Sequence, residues 1–236
     1  MNNFLDYWNS SALGGGSRFE QVGMPDANEL TIQSIVEEML YYVPYLNPES
    51  PILEIGCGNG LILDELQKRG FLQLAGADYS AEMIAKAQHY CQGIKFLKLD
   101  AGSLDSEFES GTFDLIYLHS VTQYFGSQGY FNQFLEGCLN LLSENGSLYI
   151  GDVFNAYVNN YYMGASKRGR LALLRKFFSR STPKEKNFYL DLDGLRNLQL
   201  EKRGFKVYPL LEWLNNKSLM FKALRYNILI TKCPIP

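Results

Sequence analysis

Between Pro51 and Val153 short apolar runs alternate with amphipathic stretches of helical period, and this rhythm restricts the fold more than any other feature of the chain. Strands are predicted at Pro51–Ile55, Leu72–Ala77, Ile94–Lys98, Phe113–Leu118 and Ser147–Val153, with helices at Gly60–Lys68, Ala81–Tyr90 and Tyr130–Leu142. Regular strand–helix alternation implies a parallel sheet, because parallel neighbours need crossover connections, and right-handed crossovers place helices on both faces. The expected architecture is therefore a doubly wound α/β domain whose ligand sits at the carboxyl ends of the strands. An opening helix is expected from Asp26 to about Tyr45, where Leu30, Ile32, Ile35, Val36, Met39, Leu40 and Val43 recur at helical spacing and either Asp26 or Asn28 supplies the cap.

The flanks depart from this rhythm. Residues 1–25 combine Phe4, Tyr7, Trp8 and Phe19 with the run Gly14-Gly15-Gly16, too aromatic for a passive linker and too glycine-rich for a stable helix, and read as an arm that folds over something. Residues 154–190 read as an insertion, followed by a helix at about Asp191–Lys202 and strands at Phe205–Pro209 and Arg225–Lys232 that form an antiparallel edge hairpin. A chain of 236 residues, 46% hydrophobic, suffices for one core, so a single domain over residues 1–236 is expected. No apolar run reaches the roughly 18 residues that cross a bilayer, and no basic leader with an apolar core opens the chain, so a cytoplasmic protein without stable membrane insertion is expected. Cys57, Cys91, Cys138 and Cys233 are widely spaced, which points to free thiols and to no metal site. The net charge of −3 hides an uneven distribution, because residues 166–186 hold eight of the 22 basic residues and one acid, Glu185. That strip suits a specific anionic partner, whereas the acidic remainder argues against nucleic acid.

The chemistry is written at the strand ends. The first strand closes in LEIGCGNG, residues 53–60, where Gly56 and Gly58 let the backbone turn sharply and approach a ligand, with Asn59 beside them. Asp78 closes the second strand 22 residues after Gly56, where a carboxylate can accept from both ribose hydroxyls of a nucleoside. A dinucleotide site uses GxGxxG, whereas this spacing is GxGxG. Glu54 adds a second carboxylate, which suits a cationic amino-acid group better than a pyrophosphate. Asp100, in KFLKLDAG with Ala101 beside it, stands after the third strand, where it can accept from an adenine amino group, although a turn-forming Asp reads equally well. Tyr79 and Met83 can supply an apolar face to that base.

The order LEIGCGNG, ADYS, LKLDAG, FDLIYLHSVTQYF and ENGSLYIGDV resembles the class I S-adenosylmethionine-dependent methyltransferases, over roughly residues 30–153. It is most similar to the methyltransferase domains of nonribosomal peptide and polyketide synthases and their free-standing natural-product relatives, through WNSS at 8–11, HSVTQYF at 119–125 and GDV at 151–153. His119 stands where those relatives carry a polar amide. The resemblance implies a Rossmann-like sheet of seven strands with the last antiparallel and a helical lid. It also implies S-adenosyl-L-methionine as cofactor and methyl transfer to oxygen or nitrogen of a small molecule or a carrier- or peptide-linked intermediate. A non-catalytic S-adenosylmethionine-binding protein and a protein or RNA methyltransferase are the alternatives.

Removing a proton from the acceptor calls for a base beside the reacting methyl. His119, at the end of the fourth strand, is the first candidate, either as that base or as a hydrogen-bonding contact to the cofactor or a loop carbonyl. Asp152, at the end of the fifth strand, is the second, either as a base or as a carboxylate holding a loop or substrate amine. Tyr7, Trp8 and Arg18 are expected to close over the methionine end of the cofactor, Arg18 meeting its carboxylate. Tyr157, Tyr161, Tyr162 and Met163 are expected to line the acceptor pocket.

Overall fold

In a computed structural model, residues 3–154, 190, 195, 198–210 and 225–235 are described. Their core is a seven-stranded sheet of order β3-β2-β1-β4-β5-β7-β6, built from β1 (Ile52–Ile55), β2 (Leu74–Asp78), β3 (Lys95–Lys98), β4 (Phe113–His119), β5 (Leu142–Phe154), β6 (Lys206–Leu210) and β7 (Arg225–Thr231). The first five strands pair in parallel, and β7 runs antiparallel to both β5 and β6. The doubly wound architecture expected from the sequence is the observed one.

The side-chain period of two divides the sheet into two cores. Leu53, Ile55, Ile116, Leu118, Leu148 and Ile150 face one side, packed with Phe131, Phe134, Leu135 and Cys138 of α6 (Gln128–Leu141). Ile52, Leu74, Leu115, Tyr117 and Tyr149 face the other, where they meet α3 (Glu29–Tyr42), α4 (Leu61–Lys68) and α5 (Ala81–Tyr90). The buried residues of α6 fall at spacings of three and four, so one stripe of that helix supplies its contact. Each such side chain, fully buried, contributes about 1.5–3 kcal/mol. Of the two caps considered for α3, Asn28 takes the role, accepting from the Thr31 backbone N–H at 3.1 Å.

Two sequence expectations change. The arm opens with an eleven-residue helix, α1 (Asn3–Leu13), because the glycine run lies after it rather than within it, and Phe4, Trp8 and Ala12, four residues apart, form its inward stripe. A single turn, α2 (Arg18–Gln21), follows, capped by Ser17 in a reciprocal box with Glu20. At the other end the expected antiparallel edge hairpin is the observed one: β7 is its inner strand, with Ile228, Leu229 and Ile230 buried, and β6 takes the edge, where Pro209, lacking an N–H, is tolerated. Finally, Leu200–Arg203 forms a 3-10 turn where the end of a helix was expected. The body of the expected insertion, its basic stretch and the residues proposed to line an acceptor pocket, Tyr157, Tyr161, Tyr162 and Met163, lie outside the described residues.

Candidate active site

The bend after β1 runs through Gly56, Gly58 and Gly60, all with positive φ, which places backbone N–H groups at the carboxyl edge of the sheet. A Cβ at Gly56 would run into the Val121 side chain, and one at Gly58 would lie 3.0 Å from Val22 Cγ1, so the bend is closed to larger residues on both sides. Asp78 ties it to β2: Oδ2 accepts from Gly58 N at 2.8 Å and Oδ1 from Ser80 N at 2.8 Å. Burial pushes the Asp78 carboxyl up despite these bonds, which pull it down.

Glu54, on β1 beneath the bend, is 3% exposed, and its Oε2 has no hydrogen-bonding partner among the described residues. Burial drives its carboxyl well above the usual carboxylate range; the neighbouring Tyr117 hydroxyl pulls the other way, and the Asp78 charge adds to the rise. An anion is therefore costly here until a cation or a proton meets it. Asp100, at the end of β3, caps the 3-10 turn Ala101–Ser106: its Oδ1 accepts from Gly102 N at 2.8 Å and from the Tyr130 hydroxyl at 2.6 Å. Burial raises Tyr130, and the bond to Asp100 raises it further, so it remains a hydrogen-bond donor at neutral pH.

These groups share one cavity of about 590 Å³. Of the residues singled out in the sequence, Trp8, Glu54, Gly56 and Gly58 line its β1 side, Asp78, Tyr79, Met83, Asp100 and Ala101 its β2–β3 side, and His119 the end of β4. Tyr7 does not line it and stands edge-on to Trp8, ring centroids 4.9 Å apart.

Arg18 is a correction. Its guanidinium pairs with Asp64 at 2.7 Å, lies over the Tyr90 ring and donates to Asn59 O at 3.3 Å, so it fastens α2 to α4 instead of facing the cavity. The nearest carboxylate, in the first turn of α4, claims it. Asn59 serves the same junction, its buried amide donating to Arg18 O at 2.9 Å and to Gln21 Oε1 at 3.0 Å.

The sequence reading missed the groups beside His119. Tyr124, in a 3-10 turn over Thr122–Tyr124, meets Phe4 and Trp8 edge to face at 5.1 and 5.5 Å, so α1 roofs the cavity over this turn. Asn9 of α1 completes the closure, its Oδ1 accepting from Ser80 Oγ at 2.7 Å. Tyr124 and Phe125 stood in the motif HSVTQYF, and their aromatic character was the available signal. Ser120 gave none. It follows β4 with a φ of 58°, donates its hydroxyl to Asp152 Oδ2, and its Oγ lies 3.3 Å from His119 Nδ1. Asp152 does not itself line the cavity; it is 4% exposed and stands behind Ser120.

Residues 53–150 match the family described as Methyltransferase domain. The chain is 33% identical over 156 residues to chondramide synthase of Chondromyces crocatus, covering 63% of this chain and 4% of that protein. It is 31% identical over 150 residues to a probable non-canonical nonribosomal peptide synthetase of Salinispora arenicola, covering 62% of this chain and 2% of that one. The chain thus spans a very small part of these relatives. Among solved structures, magnesium protoporphyrin IX methyltransferase from Synechocystis PCC 6803, with bound SAH (S-adenosylhomocysteine), shares the fold at a TM-score of 0.61 and 16% identity, over 98% of this chain and 95% of that one. Residues 53–150 are thus similar to a methyltransferase domain, and the sheet, with the glycine bend and its acids at the strand ends, has the fold of the class I S-adenosylmethionine-dependent methyltransferases.

Proposed function

We propose that this chain transfers the methyl group of S-adenosylmethionine to an oxygen or nitrogen of a small molecule or of a carrier- or peptide-linked intermediate. The observation that carries this reading is a single cavity that joins the Gly56–Gly58 bend and Asp78 to His119 at the end of β4. The residues fit the donor: the bend admits no Cβ where a ligand would lie against the backbone, and Glu54 is a buried carboxylate lacking a partner for one oxygen. Asp78 would hold the ribose hydroxyls, Asp100 the adenine amino group between Tyr79 and Met83, and Glu54 the cationic amino-acid end. Bound there, the donor supplies a methyl on a positive sulfur that leaves as a neutral thioether. The chain's part is to align the acceptor with that methyl, to exclude water beneath α1 and to take up the acceptor's proton at His119.

An oxygen or nitrogen acceptor that is carrier- or peptide-linked agrees with the synthase and synthetase named among the relatives, and the basic strip at 166–186 supplies charge for an anionic one. Calorimetry with S-adenosylmethionine and S-adenosylhomocysteine, with NAD as control, tests the donor. Binding of both adenosyl ligands and none of NAD is expected, and NAD binding without them would sink the reading. A mass gain of one methyl group on an offered acceptor then tests the transfer.

A further inference from the structure

Two non-glycine residues with left-handed backbone face each other across the ends of adjacent strands: Ser120, φ 58°, after β4 and Asp152, φ 61°, in β5. Each such conformation costs an L-residue about 1–2 kcal/mol, and such outliers cluster where a side chain must be aimed against local preference. The backbone between them is built for this. His119 pairs with Gly151 in register, and Ser120 N donates to Gly151 O at 3.1 Å. The β5–β7 ladder breaks between Ile150 and Val153, a bulge that turns the Asp152 side chain toward β4. The backbone N–H of Asp152, freed from the ladder, donates instead to Asn227 Oδ1 of β7 at 2.8 Å, and Asn227 Nδ2 donates to the buried Glu38 of α3 at 2.7 Å. Gly151 completes the arrangement, since a Cβ there would lie 2.7 Å from His119 Cδ2.

Proton counting then favours one direction for the chain of hydrogen bonds. The Ser120 hydroxyl has one proton, and it goes to Asp152 Oδ2. Toward His119 its oxygen is then left to accept, and Nδ1, 3.3 Å away, meets it as a donor when that nitrogen carries the hydrogen. In a neutral imidazole the basic nitrogen is then Nε2.

We propose that Ser120 is a positioning residue, linking the Asp152 carboxylate to His119 and holding the imidazole as its Nδ1–H tautomer so that Nε2 takes the acceptor's proton. The part concerning the acceptor rests on the methyl-transfer reading above; the tautomer does not. As the acceptor heteroatom takes the methyl, its proton passes to Nε2 and the electron pair of the broken carbon–sulfur bond stays with the donor sulfur. The imidazolium so formed keeps its Nδ1–H on Ser120 Oγ, whose own proton remains on the carboxylate side, so the developing charge is met by Asp152 through one hydroxyl. Direct contact between the two is not needed.

The chain contains two histidines, so the test is clean. Long-range proton–nitrogen correlation spectra of the full chain labelled with nitrogen-15, recorded without ligand on the alkaline side of the histidine titration and assigned with His89→Gln, report the tautomer of His119. The expected pattern is Nδ1–H in the wild type, lost toward Nε2–H in Ser120→Ala. Ser120→Gly removes the same hydroxyl and relieves the backbone, so it must give the same shift should the alanine variant fold poorly. An Nε2–H pattern in the wild type, or an unchanged Nδ1–H pattern in either variant, overturns the proposal. Because no donor or acceptor is present, that outcome leaves methyl transfer standing, and failure of S-adenosylmethionine to bind would leave the tautomer result standing.

Discussion

The two halves of the cavity solve the same geometric problem with opposite residues. At the β1–β2 edge the left-handed positions are filled by Gly56, Gly58 and Gly60, and at the β4–β5 edge by Ser120 and Asp152. At the first edge the proposed donor lies against the backbone itself, so a side chain there would only obstruct. At the second, a hydroxyl and a carboxylate must stand close together, and the strained backbone is tolerated because Asn227 and Glu38 hold it from behind. Strain carried by glycine is nearly free, whereas strain carried by serine and aspartate has to be overdetermined by its surroundings.

If the halves divide the work in this way, substitutions at them separate. The largest effect is expected from Asp78→Ala, which removes the acceptor of Gly58 N along with the group for the ribose. Affinity for S-adenosylhomocysteine should fall at least about 100-fold, equivalent to about 2.7 kcal/mol, by calorimetry. Gly151→Ala comes next, since its methyl displaces the His119 ring: turnover of any acceptor should fall about 10–100-fold while affinity for S-adenosylhomocysteine changes less than tenfold. Equal losses in both quantities would show that the halves are not separable.

Glu54→Gln sharpens the comparison through pH. Burial raises the Glu54 carboxyl in the fold, so its contribution to stability is full in acid, below its unfolded value, and is lost as pH rises through the folded value. The ligand-free variant should therefore gain on the wild type as pH increases, by several degrees in Tm at neutral pH if about 1–2 kcal/mol is relieved. Affinity for S-adenosylmethionine should fall, and a wild type whose margin does not change between acid and neutral pH would refute the assignment. The smallest effect belongs to Gln199, the third non-glycine residue with positive φ among the described residues, which is exposed in the turn before β6. Gln199→Gly should stabilise by about 1 kcal/mol in urea unfolding, the gain expected where left-handed strain serves no site.

The cradle was legible because each of its parts leaves a local mark: an apolar strand, glycines at fixed spacing, and acids closing successive strands. The acids and the glycines of the first edge lie where the sequence placed them, and the sheet order follows from the same alternation. What could not be read depends on distant pairing. Ser120 is unmarked until the bulge in β5 brings Asp152 to it, and Asp152 takes its position from Asn227 on a strand whose interior place the linear pattern did not give. Arg18 was misplaced for the same reason, because Asp64 meets it only once α2 and α4 are packed. The helix α1 is masked in the sequence by the glycine run that directly follows it.

The interior position of β7 has a consequence for synthesis. Asn227 lies 75 residues after Asp152, so a chain emerging from the ribosome exposes every residue of the proposed nucleoside cradle long before the strand that buttresses the opposite edge exists. Under the proposed roles, the residues for ligand capture are synthesised ahead of those that buttress proton handling.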